Sequence, residues 1–167
     1  MIRFATPADA AAISNIYNPY VLASTVTFEE QAVSETQMAE RIRQTQQEGL
    51  PWFVCTEQGE IIGYAYASKW RVRSAYRFSV ESTVYVKEGF VGQGVGHRLY
   101  QVLLDELTRL GFHLVIGGIT LPNAASIALH EKMGFVQCGH FKQVGFKFGQ
   151  WRDVGYWQKN LGSEVSS

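Results

Sequence analysis

The stretch Val80-Glu81-Ser82-Thr83-Val84-Tyr85-Val86-Lys87-Glu88-Gly89-Phe90-Val91-Gly92-Gln93-Gly94-Val95-Gly96 decides how the chain is read. Its first half, Val80 to Lys87, is rich in β-branched residues and Tyr and predicts a strand. Its second half crowds Gly89, Gly92, Gly94 and Gly96 together, more than a turn that merely caps a helix ordinarily needs. Beyond it Val95, Leu99, Val102, Leu103, Leu107 and Leu110 recur at three- and four-residue spacing and predict an amphipathic helix ending at Gly111. A strand that passes through a glycine loop into a helix gathers backbone N–H groups at the positive end of the helix dipole, where phosphate oxygens are the natural ligand. No Lys-Ser or Lys-Thr follows, as a P-loop requires, and a dinucleotide fold would need G-x-G-x-x-G with an acid about twenty residues on. A phosphate site of another kind and a glycine-rich helix cap are the readings left.

Outward from this centre the pattern is mixed. Residues 1 to 5 suggest a short strand, after which Thr6, Pro7 and Asp9 open a helix through Ile13, Ile16 and Tyr17. Ser34-Glu35-Thr36-Gln37 is a capping box for a second helix through Met38 and Ile42. Trp52 to Thr56, a Gln58-Gly59 turn and Ile61 to Tyr66 read as a β-hairpin. Leu114-Val115-Ile116 is a buried strand, and Ala125 to Met133 a short helix after the Pro122-Asn123 break. Phe135 to Leu161 alternates and turns near Gly149-Gln150, so a final hairpin is expected. Because hairpins dominate and βαβ units are few, the fold class is α/β of the α+β type, with a mixed, mostly antiparallel central sheet flanked by helices. No linker divides it: residues 1–161 are expected to form one domain and 162–167 a polar tail.

The 167 residues carry 15 Lys+Arg against 15 Asp+Glu, and 46% are hydrophobic, with 10 Phe, 8 Tyr and 4 Trp. That is enough apolar material for a full core, which excludes disorder as the main state. A chain of zero net charge is not built as a general binder of nucleic acid or of an acidic membrane. The absence of an apolar leader, a cleavage site or any run of about 18 apolar residues leads to the expectation of a cytoplasmic protein. Cys55 and Cys138 lie alone in apolar strand-like runs and read as small core residues. His97, His113 and His140 lack ligand spacing, so no metal is expected.

One local cluster of charge stands out. Lys69, Arg71, Arg73 and Arg77 are interleaved with Trp70 and Tyr76. Aromatics and cations so mixed can stack bases and meet phosphates, grip a small carboxylate or phosphinate with guanidinium forks, or form a solvated loop paired with Glu29, Glu30 or Glu88.

Four segments taken together go further: Glu81 to Val86, the glycine loop, Pro122-Asn123-Ala124-Ala125-Ser126 and Leu129-His130-Glu131-Lys132-Met133-Gly134-Phe135 resemble the Gcn5-related N-acetyltransferase (GNAT) superfamily. Asn18-Pro19-Tyr20, Thr27-Phe28-Glu29, Tyr66 to Arg71, Ala75-Tyr76-Arg77 and Gly145 to Gln158 narrow the resemblance to phosphinothricin and methionine sulfoximine N-acetyltransferases. The match runs in order from Ile2 to Leu161.

The resemblance implies the GNAT fold and acetyl-CoA as co-substrate. Tyr85, Val86 and Lys87 would pair with the pantetheine amides, and the loop of Gln93, Gly94, Val95, Gly96, His97 and Arg98 would cradle the pyrophosphate. Asn123 would touch the pantetheine arm with Ser126 and Lys132 nearby. Val91 stands where the superfamily has Gln or Arg, which implies weaker affinity for the same ligand. Acetyl transfer to an amine needs a neutral nucleophile, a held oxyanion and a protonated leaving thiol. Glu81, on the strand that runs beneath the thioester in that family, is the candidate base, or else a strand-edge charge in an ion pair. The oxyanion falls to the backbone N–H of Val86 or its neighbour. His130, where many members carry Tyr, is the candidate acid, or a residue packed beside the co-substrate with no proton role.

The resemblance favours the anion clamp for the basic loop, with Phe28 and Glu29 facing the same pocket and Arg73, Ala75, Tyr76 and Arg77 as acceptor contacts. The expected acceptor is a small anionic amino acid analogue. The expected assembly is a homodimer with the C-terminal strands near its interface, Trp151 and Trp157 serving interface or core. Acetylation of another amine, such as a protein N-terminus or a polyamine, and catalytically weak acyl-CoA binding are the rival functions.

Overall fold

The computed structural model describes residues 1–162, so the expected polar tail lies, from residue 163 onward, outside the described residues. The elements in chain order are β1 (Ile2–Phe4), a 3₁₀ turn at Pro7–Asp9, α1 (Ala10–Ala23), α2 (Glu35–Gln47), β2 (Trp52–Glu57) and β3 (Glu60–Lys69). A 3₁₀ turn at Ser74–Tyr76, β4 (Ser79–Val86), α3 (Val95–Arg109), β5 (Leu114–Leu121), α4 (Ala124–Lys132), β6 (Val136–Lys147) and β7 (Gln150–Asn160) complete it. Among the described residues seven strands form one sheet in the order β1-β2-β3-β4-β5-β7-β6, in which only β4 and β5 are parallel. A largely antiparallel sheet follows from the hairpins, and the parallel pair from the one strand–glycine loop–helix–strand unit.

Helices cover both faces of the sheet. In β2, Phe53 and Cys55 enter the core under α3 with Leu99, Leu103 and Leu107, while Trp52 and Val54 face the opposite way into the core of α1 and α2 with Ile13, Ile16 and Ile42. That period of two makes β2 apolar on both sides, because both of its faces are buried. The core face of α3 buries Val95, Leu99, Leu103 and Leu107, each leucine contributing about 1.5–3 kcal/mol, while Val102 is half-buried and Leu110 lies past the end of the helix and is exposed.

One expectation needs correction. Cys138 is exposed, its thiol donating to the Tyr156 carbonyl at 3.4 Å, because β6 is the outer strand of the sheet and has no cover on that side. The last hairpin turns at Phe148-Gly149, both at positive φ, as a tight two-residue turn between twisted strands requires. Trp157 lies in the core, whereas Trp151 is exposed.

Candidate active site

The site originates in the pairing of β4. Along its length β4 is bonded to β3, but to β5 only from Ser79↔Leu114 to Glu81↔Ile116. Beyond Glu81 the two strands separate, although each continues for several residues. The gap becomes a cleft of about 750 Å³, lined by β4 from Glu81 to Val86, the glycine loop, the start of α3, and α4. Glu81 stands at the vertex. Burial raises its carboxyl above the ordinary carboxylate range, and the positive charge of Arg71 partly opposes that shift. Across the gap β5 carries adjacent glycines. A Cβ at Gly118 would come 3.1 Å from Tyr156 and 3.6 Å from the Glu81 carboxylate, and one at Gly117 only 2.6 Å from His130 Nε2. The glycine pair clears the space that these side chains occupy.

His130 closes a buried polar chain. Its Nδ1 is 2.7 Å from the Ser126 carbonyl, which can only accept, so the proton sits on Nδ1. Burial lowers its pKa, against the raising effect of that bond, and keeps the ring neutral. Nε2 therefore accepts from the Tyr100 hydroxyl at 2.8 Å, and Tyr100 in turn accepts from Ser82 at 2.5 Å. His130 borders the cleft with both ring nitrogens engaged.

At the other end Gly92 and Gly94 adopt φ of 84° and 80°, which side chains resist, and Gly94 is the N-cap of α3. The first N–H groups of α3 have no intrahelical acceptor and belong to residues that border the cleft. Gly94, Val95, Gly96 and His97 line it, as do Asn123, Ser126 and Lys132. Asn123 Oδ1 caps α4 by accepting from Ser126 N at 3.1 Å. Tyr85 and Val86 line the cleft, with the Val86 carbonyl taken by the Tyr20 hydroxyl at 2.5 Å. Lys87 instead turns away to pair with Glu60, Gln93 folds back onto the Gly89 carbonyl, and Arg98 lies outside the lining. The cleft thus offers a strand edge without a partner, leading to a helix N-terminus: a fit for an extended amide-bearing chain ending in phosphates.

The opposite wall comes from Val26, Thr27 and Phe28. Glu29 does not share it. Its carboxylate accepts from Arg41 at 2.6 and 3.0 Å and from Tyr17 at 2.8 Å, because successive residues of an open segment point to different sides. The basic loop is exposed from Arg71 to Arg77, and Arg73, Ala75, Tyr76 and Arg77 do not border the cleft. Arg77 donates to the Ser74 carbonyl and lies over Phe78. Arg71 stacks on Trp70 at 3.9 Å, and Trp70 meets Tyr156 edge-on at 5.8 Å, so Arg71 is the cation of this loop that Glu81 feels. Sequence reasoning passed over Tyr156, Gly118, Ser82 and Tyr100. The Gly117-Gly118 pair inside a β-branched run was the available signal for a crowded strand face.

With the geometry in view, residues 2–155 match the family model described as an acetyltransferase (GNAT) domain. A phosphinothricin N-acetyltransferase of Streptomyces viridochromogenes is 40% identical over 96% of this chain and 87% of its own. An L-methionine sulfoximine/L-methionine sulfone acetyltransferase of Salmonella typhimurium is 39% identical over 96% and 94%. Among solved structures, a Salmonella typhimurium acetyltransferase with its cofactor acetyl-CoA superposes with a TM-score of 0.96 at 38% identity, covering 100% of this chain and 96% of that one.

Proposed function

Since the chain belongs to the GNAT family of N-acetyltransferases, we propose that it transfers the acetyl group of acetyl-CoA directly to the α-amine of a small anionic amino acid analogue, with methionine sulfoximine and phosphinothricin as leading acceptors. The observation that carries this reading is the half-buried Glu81 carboxylate at the point where β4 and β5 part, between an anion-binding helix terminus and an aromatic wall. Acetyl-CoA supplies the acetyl thioester and a thiol leaving group. The edge of β4 at Tyr85 and Val86 and the N-terminus of α3 hold it, and the N–H of Val86 meets the oxyanion, since that of Lys87 is donated to the Ile62 carbonyl. Glu81 accepts the ammonium proton, directly or through one water. His130 keeps its proton on Nδ1 for Ser126, so the departing sulfur is protonated from solvent. Arg71, stacked on Trp70 beside Tyr156, supplies the charge that favours an anionic acceptor and disfavours a polyamine.

Thiol release with a panel of methionine sulfoximine, phosphinothricin, methionine sulfone and spermidine tests this. The anionic amino acids should exceed spermidine in kcat/KM by at least about tenfold, a difference of ~1.4 kcal/mol. A preference for spermidine, or acetyl-CoA binding without turnover, contradicts the reading.

The same co-substrate fits a cytoplasmic setting; among the described residues no helix is long and apolar enough to cross a membrane. A homodimer across β6 is part of the proposal, because this edge strand, its turn and the start of β7 leave Phe146, Phe148 and Trp151 more than half exposed. Sedimentation should give twice the 18.8 kDa chain mass; a monomer at micromolar concentration contradicts it.

A further inference from the structure

The segment Gly145-Phe146-Lys147-Phe148-Gly149-Gln150-Trp151 contains a lysine that the chemistry above does not use. Near the tip of β6 burial alternates: Phe146 and Phe148 are exposed, and Gly145 and Lys147 are buried. Lys147 is 1% exposed. Its ammonium donates to the carbonyl of Val21 at 2.7 Å and to that of Thr27 at 2.9 Å. Val21 lies in the last turn of α1, where carbonyls lack intrahelical donors and the helix dipole attracts a cation. Lys147 therefore caps α1 from a distant strand and, with the same group, holds the segment leading to Phe28. The carboxylates of Glu29 and Glu30 add longer-range attraction. Two residues away, Gly145 receives the Phe28 ring so closely that a Cβ there would lie 2.2–2.8 Å from its atoms. A buried ammonium is costly unless its donors are satisfied, and here two of its partners are main-chain groups flanking one wall of the cleft.

We propose that Lys147 is a positioning residue through which the β6–β7 hairpin sets the acceptor wall: it fixes Val21 and Thr27 so that Phe28 is held against Gly145 and toward the cleft. This rests on the reading of Phe28 as part of the acceptor wall. Lys147 touches no reacting atom and acts on the acceptor wall, away from the start of α3 where the phosphates of acetyl-CoA are assigned.

The test is a double-mutant cycle of Lys147→Met and Phe28→Ala in the full chain, with KM measured separately for methionine sulfoximine and acetyl-CoA. Lys147→Met should raise the KM for the acceptor by about tenfold and leave that for acetyl-CoA within about twofold. Because both residues act on one wall, the double variant should lose little more than Phe28→Ala alone. Additive losses, or equal rises for both substrates, overturn the proposal. If Phe28→Ala raises the acceptor KM and Lys147→Met does not, this proposal alone fails. If Phe28→Ala leaves the acceptor KM unchanged, the assignment of the wall fails and the proposal with it. Should Lys147→Met not fold, Lys147→Gln, which removes the charge and shortens the side chain but keeps a donor, decides in its place: a rise in acceptor KM alone supports the coupling, and no rise or an equal rise for both substrates overturns it.

Discussion

Glu81→Gln should lower kcat/KM by about 10²- to 10⁴-fold, the usual contribution of a positioned general base. The substitution keeps the shape and polarity of the side chain at the β4–β5 vertex and removes only its ability to take a proton. Acetyl-CoA binding should stay near wild type, since that ligand is assigned to the β4 edge past Glu81 and to the start of α3. The pH dependence gives a second readout. Glu81 must be ionised to act, and burial raises its pKa, so wild-type kcat/KM should fall with decreasing pH at a value above the ~4.3 of an exposed glutamate. Glu81→Gln should lack that acidic limb. Unchanged kcat/KM across the pH range would falsify the assignment.

The second large effect is expected at a residue without a side chain. In Gly117→Ala the new methyl would lie 2.6 Å from His130 Nε2 and 2.8 Å from Cδ2. The imidazole has little room to retreat, being packed edge-on against Tyr100 and Phe135 with ring centroids 5.1 Å away in each case. Moving it breaks the bond from Tyr100 and releases Ser82, the residue next to Glu81. Overpacking of this kind costs about 1–3 kcal/mol of stability. A shift of even ~1 Å beside the reacting groups lowers activity by about 10²-fold. Thermal unfolding and kcat/KM of Gly117→Ala measure both. Wild-type values for the two would show that the packing of His130 does not govern the site.

These expectations mark what was legible in the chain. The strand–glycine loop–helix unit was readable because its three signals are local: β-branched residues, crowded glycines and a three-four apolar spacing. The splay of β4 from β5 was not, since it depends on where pairing between two distant strands stops. Tyr156 was hidden for a related reason. β7 inserts between β5 and β6, and its register sets Tyr156 opposite Gly118, which no periodicity announces. The basic loop was visible as a density of charge, but not the direction of each guanidinium, so Arg71, whose charge reaches Glu81, was ranked below Arg73 and Arg77. Phe28 and Glu29 were grouped because they are adjacent; one faces the cleft and the other braces α1 and α2 through Tyr17 and Arg41. Lys147 looked like one cation in a polar hairpin, and only its two carbonyl partners, more than a hundred residues away in sequence, give it a role.

Direct transfer between two substrates held in one cleft is the centre of this account. It is tested most directly by incubating the protein with acetyl-CoA, first alone and then with methionine sulfoximine, while following free thiol, the amine product and the mass of the protein. The prediction is no thiol from acetyl-CoA alone, then equal amounts of thiol and α-N-acetylated product, with the protein's mass unchanged throughout. An acetylated protein formed before the acceptor is added, or thiol released without acetylated product, would contradict it.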